Sequence, residues 1–153
     1  MKTADKLKIR EKFTLPAGAY YIGDPCYILN DKTYDNILMP VMREANRNGR
    51  DTYEFYSNPH NEYTQRGVVM GTLYGDGLYY DNKGVSFPVD SGQIACIDIA
   101  SIGLKEDIIY YVNTRAVSVY NFDKPFDCVR HDNGVLRFNS ISINTGDIEE
   151  NQQ

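Results

Sequence analysis

Two tetrapeptides, Asp81-Asn82-Lys83-Gly84 and His131-Asp132-Asn133-Gly134, each stand between a pair of β-prone runs, and they constrain the fold more than any other feature of the chain. Asp and Asn hydrogen-bond nearby backbone, and Gly takes the left-handed angles that a tight reversal needs. The flanking runs, Leu78-Tyr79-Tyr80 with Val85-Ser86-Phe87 and Cys128-Val129-Arg130 with Val135-Leu136-Arg137-Phe138, are rich in aromatic and β-branched residues. Each set predicts an antiparallel hairpin. Further runs of the same kind are Phe13-Thr14-Leu15, Ala19-Tyr20-Tyr21-Ile22, Tyr27-Ile28-Leu29, residues 68–74, 93–99, 108–112 and 116–120, and the alternating Ser140-Ile141-Ser142-Ile143-Asn144.

One segment changes period. Tyr34, Ile37, Leu38, Val41, Met42 and Ala45 follow helical spacing, with Asn30 or Asp31 as N-cap and Gly49 as a stop. Pro40 lies inside this pattern and clashes with the carbonyl of Asn36, which predicts a kink or a helix beginning near Pro40. Many short strands with a single helix predict a mainly β (β-rich α+β) fold, an antiparallel sandwich or barrel carrying the helix on one face or end. The 153 residues are expected to form one domain, 1–153, with residues 1–11 and 146–153 as frayed tails.

Composition narrows the function classes. Apolar residues make up 42% and charged residues 24%, which is ordinary globular usage. A net charge of -5 argues against a broad nucleic-acid surface, because such surfaces need clustered Lys and Arg. No window approaches the roughly 18 apolar residues of a membrane span. The three cysteines, Cys26, Cys96 and Cys128, lack CxxC spacing and fit reduced thiols, so a cytoplasmic protein is expected. Thirteen Tyr and no Trp suit half-buried sheet faces or a contact surface.

Three aspartates sit in glycine- or proline-framed bends: Gly23-Asp24-Pro25-Cys26-Tyr27, Gly75-Asp76-Gly77 and Val89-Asp90-Ser91-Gly92. Such bends aim a carboxylate at little conformational cost, and they equally serve to turn the chain. If Asp24, Asp76 and Asp90 converge, they would hold a divalent cation or share proton transfer, with Cys26 or His60 assisting, as in a small hydrolase. Cys26 would need a base, and only His60 and His131 are available. No phosphate loop, nucleophile elbow or HExxH motif is present, and the sequence leaves any cofactor unknown. Residues 50–65 read as a long polar, aromatic surface excursion, either a contact loop or a variable insertion, with Tyr53, Phe55, Tyr56, His60 and Tyr63 available to a partner.

The ordered trio of GDPCY, GDG and DSG elements, within residues 12–100, resembles small uncharacterised β-domain proteins of bacteriophages and bacteria. The resemblance implies a phage or bacterial origin and no defined reaction. The leading expectation is a phage-encoded binding protein in the host cytosol that captures a host protein or a small ligand, counter-defence being one such use. Asp24, Cys26, Tyr27, Asp76, Asp90, Ser91, Tyr53, Tyr56 and His60 are the binding candidates, and the hydrolase is the alternative. A homo-oligomeric β module is a third expectation.

Overall fold

A computed structural model of the chain describes residues 8–56, 66–99 and 119–146. Eleven strands are present among them, in chain order β1 (Ile9–Leu15), β2 (Gly18–Gly23), β3 (Thr52–Tyr56), β4 (Arg66–Gly71), β5 (Gly77–Tyr80), β6 (Ser86–Val89), β7 (Gln93–Asp98), β8 (Val119–Phe122), β9 (Phe126–His131), β10 (Val135–Phe138) and β11 (Ile141–Asn144). They form antiparallel sheets in the orders β1-β9-β10-β11, β3-β4-β7-β2-β8 and β5-β6. Among the described residues, a single 17-residue helix, α1 (residues 31–47), completes a β-rich α+β fold.

The five-stranded sheet is apolar on both faces, and strand alternation assigns each residue to one of them. Tyr20, Ile22, Val68, Met70, Ile94 and Cys96 point toward the four-stranded sheet, where they meet Leu15, Phe126, Cys128, Leu136, Phe138 and Ile143. Their neighbours Tyr21, Val69, Ala95 and Ile97 point the other way, into a second cluster with Leu38 and Ala45 of α1. The layers are therefore sheet, sheet and helix. The β5–β6 hairpin adds Tyr79, Phe87 and Val89 to the core between the sheets.

Local chemistry accounts for the helix. Asn30 accepts a hydrogen bond from the Thr33 N–H at 2.8 Å, closing the N-terminus as expected. The helix runs through Pro40 from Asp31 and does not begin near the proline, and just before the ring it widens to a π-turn over Tyr34–Leu38, in which the Met39 N–H reaches the Tyr34 carbonyl. The wider turn just before Pro40 accommodates a ring that lacks an N–H. Both hairpins form where the turn residues place them: Tyr79 pairs with Phe87, and Phe138 with Cys128.

Three expectations need correction. Residues 9–11, placed in the N-terminal tail, belong to β1, where Ile9 and Glu11 pair with His131 and Arg130. Tyr27-Ile28-Leu29 is not a strand, because Pro25–Tyr27 forms a 3-10 turn capped by the Asp24 side chain. The surface excursion of residues 50–65 begins as β3, an integral strand on β4. Its Tyr53 and Phe55, two residues apart, both face the helix and are buried. The remainder, including His60 and Tyr63, lies outside the described residues, as do the strand expected at 108–112 and most of that at 116–120.

Buried tyrosines explain part of the tyrosine excess, since each finds an acceptor for its hydroxyl. Tyr20 donates to the Pro16 carbonyl and Tyr79 to the Gly75 carbonyl, each at 2.8 Å and four residues back. Opposite Phe55, Gly67 leaves the space its ring occupies: a Cβ there would lie 2.6 Å from Phe55 Cε1 and 3.1 Å from the Cys96 carbonyl oxygen. Gly67→Ala is accordingly expected to lower stability by about 2 kcal/mol through overpacking. A urea melt would detect it, and the loss should shrink in a Phe55→Leu background.

Candidate functional site

The end of β2 meets the turn between β6 and β7, and the carboxylate of Asp24 joins them. It is fully buried and accepts four hydrogen bonds. Oδ1 takes the Cys26 N–H at 2.8 Å and the Ser91 hydroxyl at 2.7 Å. Oδ2 takes the backbone N–H groups of Asp90 at 2.7 Å and Ser91 at 2.8 Å. Pro25 starts the 3-10 turn with a fixed φ, so the Cys26 amide points back at Asp24. In return the Tyr27 hydroxyl donates to Asp90 Oδ2, and the Tyr21 hydroxyl donates to the Asp24 carbonyl at 2.6 Å. Ser91 also shares a hydrogen bond with Tyr34 of α1.

The third motif lies against this clasp. Thr72 donates its N–H to the Gly92 carbonyl at 3.0 Å and its hydroxyl to the Gly75 carbonyl at 2.6 Å. Gly92 has a φ of +73°, and a Cβ on it would sit 3.8 Å from Gly75 Cα and 3.9 Å from Asp76 Oδ1. The three bends thus gather at one end of the five-stranded sheet, but their carboxylates are in unlike states. Asp24 is enclosed and bonded, whereas Asp76 and Asp90 are exposed. Among the described residues, no three His, Cys, Asp or Glu side chains are grouped so as to hold a metal ion.

The electrostatics favour donors over bases. Burial, then the charge of Asp24, raises the Tyr21 hydroxyl far above its ordinary value. The hydrogen bond to Asp90 does the same for Tyr27, aided by burial and the Asp90 charge. Burial and Asp24 also push Tyr34 up. These phenols stay protonated near neutrality and serve as fixed hydrogen-bond donors, not as nucleophiles. Cys26 is half-exposed beside them.

Two of the expected contact residues are placed differently. Tyr53 and Phe55 are buried under α1, and the Tyr53 hydroxyl donates to Gln93 Oε1, so neither offers a surface. Tyr56 ends β3, and His60 lies outside the described residues.

Two features escaped the sequence. Arg130 is fully buried, its guanidinium donating to the Gly71 carbonyl at 3.2 Å, to the His131 carbonyl and to Asp51 Oδ2 at 3.3 Å. A charge inside the strand-forming run Cys128-Val129-Arg130 was its only signal. Leu73, Tyr74, Leu78, Tyr80 and Val85 form an exposed apolar stretch, between 36% and 52% accessible. Leu78 and Tyr80 stand on the outer face of β5 while Tyr79 between them is buried, an alternation visible only once the inner face is known.

Comparison of the chain with protein-family models, curated proteins and solved structures finds no match.

Proposed function

We propose that the protein is a binding module whose contact surface is the outer face of the β5–β6 hairpin with the Leu73-Tyr74 corner that precedes it. One observation carries this: five of the six large hydrophobic residues exposed among the described residues fall between positions 73 and 85. Single exposed apolar residues are common, but a gathered set marks an interaction surface. Pro88, exposed opposite Leu78, has no N–H to offer, so contact through side chains is favoured over strand addition at β6. Exposed Asp76 and Asp90 flank the stretch and suit a partner whose apolar pocket is rimmed by Lys or Arg.

A protein is better supported as partner than a small ligand. Among the described residues, the groove lined by Pro125, Phe126, Asp127, Arg137 and Asn139 holds about 240 Å³ and opens broadly to solvent. Ligand pockets are typically enclosed, with volumes of roughly 300–1,000 Å³. In line with the resemblance to phage and bacterial proteins, the partner we propose is a host protein met in a bacterial cytosol. The hydrolase alternative has less support, since the four hydrogen bonds that Asp24 accepts spend its carboxylate on holding the turns together.

Leu78→Glu tests the surface, with Ile9→Glu as an exposed control on β1. Both should fold as the parent does, within about 0.5 kcal/mol. A partner captured from bacterial lysate by the parent should bind Leu78→Glu at least tenfold more weakly and Ile9→Glu unchanged. Equal binding by Leu78→Glu would reject the surface. A dimer in sedimentation that Leu78→Glu disperses would replace the host partner with a second copy of the chain.

A further inference from the structure

Asparagine stands directly before glycine at two places, Asn48-Gly49 and Asn133-Gly134. In such a pair the backbone nitrogen of glycine can attack the asparagine side-chain amide, because no side chain shields it and its backbone reaches angles closed to other residues. The sequence treats the two pairs alike, and the fold separates them.

Asn133-Gly134 is enclosed in the turn between β9 and β10. Gly134 is buried, and a Cβ on it would lie 2.8 Å from Gly146 Cα and 3.0 Å from Leu73 Cβ. Its N–H donates to the His131 carbonyl at 3.1 Å, and its carbonyl accepts both the N–H of Thr145 at 2.9 Å and the Thr145 hydroxyl. Asn133 Oδ1 accepts the Val135 N–H at 3.3 Å. Bringing Asn133 Cγ onto the Gly134 nitrogen would disrupt this packed set together. Asn48-Gly49 instead ends α1, where both residues are exposed and nothing lies within 4 Å of a Gly49 Cβ. Its restraints are the Gly49 N–H on the Asn46 carbonyl at 3.0 Å, the Arg50 N–H on the Ala45 carbonyl at 2.9 Å and the Asn48 side-chain amide on the Glu44 carbonyl at 3.0 Å. All three belong to the last helical turn, which opens without parting the sheets.

We infer that Asn48 is a self-modification site, where the folded chain converts asparagine to aspartate and isoaspartate with water as the co-reactant, while the fold protects Asn133. The deprotonated Gly49 nitrogen bonds to Asn48 Cγ, the bond from Cγ to the side-chain nitrogen breaks, and ammonia leaves after taking a proton from solvent. A five-membered succinimide remains. Water then adds to one of its two carbonyl carbons. Breaking the new bond gives aspartate; breaking the original peptide bond gives isoaspartate, with the backbone rerouted through the side chain. No atom is oxidised or reduced.

The product alters the end of α1. Either form sets a carboxylate at the negative end of the helix dipole, beside Glu44 Oε1, to which the Asn48 amide now lies at 3.4 Å. Isoaspartate also lengthens the backbone by one carbon, which misaligns the Gly49 and Arg50 hydrogen bonds that close the helix.

The full chain, held at 37 °C in mildly alkaline buffer with and without unfolding urea, tests this by peptide mapping with fragment sequencing. In the folded sample Asn48 should gain the mass of an NH-to-O exchange, in two chromatographic forms, about tenfold or more faster than Asn133, since only the helix end opens locally. In urea the two asparagines should react at similar rates. Asn48→Gln should abolish the gain at position 48 and leave Asn133 slow. Asp76-Gly77 forms the same ring without a mass change, so the gain reports asparagine alone. The isoaspartate form, separated by ion exchange, should melt a few degrees below Asn48→Asp, which carries the charge without the longer backbone. No gain at Asn48 in folded chain while the urea sample reacts, or equal rates at Asn48 and Asn133 in folded chain, would overturn the proposal.

Discussion

Replacing Asp24 with alanine is expected to cost about 4 kcal/mol of stability, because each buried donor left without a partner costs roughly 1–3 kcal/mol. The amides of Cys26, Asp90 and Ser91 and the Ser91 hydroxyl all lose their acceptor together. Half-exposure of Cys26 and Ser91 lets water recover part of that sum. Domains of this size are stable by only about 5–15 kcal/mol, so the variant should be close to unfolding at 37 °C. Asp24→Asn, which sets an NH2 against N–H donors, should cost about 2–3 kcal/mol, and Ser91→Ala about 1 kcal/mol. Urea melts of the three would test the order. A loss below about 1 kcal/mol for Asp24→Ala would mean that the carboxylate does not hold the turns, and would return it to candidacy for chemistry.

Arg130→Ala should be comparably severe, at about 4 kcal/mol, since it removes a long packed side chain and empties its space. Its guanidinium joins the two sheets: β9 carries it, and it reaches Gly71 at the end of β4 and Asp51 just before β3. Burial lowers the Arg130 pKa from its ordinary value, while the charge of Asp51 raises it again. Arg130→Met, which fills the volume without a charge, should recover most of the loss, as apolar replacements of buried ion pairs often do. Asp51→Ala should cost about 2 kcal/mol, tempered because its side chain is 36% exposed and is shared with Arg10 at 3.3 Å. In an Arg130→Met background that cost should largely vanish. A double-mutant cycle with no coupling would show that Asp51 does not compensate the buried charge.

Elements set by short-range rules were legible in the residues. The reversals at 81–84 and 131–134, the Asn30 cap and the stripe from Tyr34 to Ala45 follow from preferences that act over a few positions. Failures occurred where a stronger local cap or a distant contact outweighed them. Tyr27-Ile28-Leu29 has strand-forming side chains, but Asp24 caps the Cys26 amide and Pro25 fixes the first φ, so a 3-10 turn results. The segment around Tyr53 and Phe55 looked like polar loop because its burial depends on a sheet covered on both faces, one by α1 and one by the other sheet.

By itself, then, the sequence determined where the two hairpins turn and where the helix lies, because glycine, Asx residues and apolar periodicity act through the adjacent backbone. Only the tertiary structure decided that Asp24 is enclosed while Asp76 and Asp90 face water, that Gly67 makes room for Phe55 and that Arg130 spans the sheets. Those outcomes depend on strand register and sheet packing, which sum many weak contacts between residues far apart in the chain. No single residue announces them.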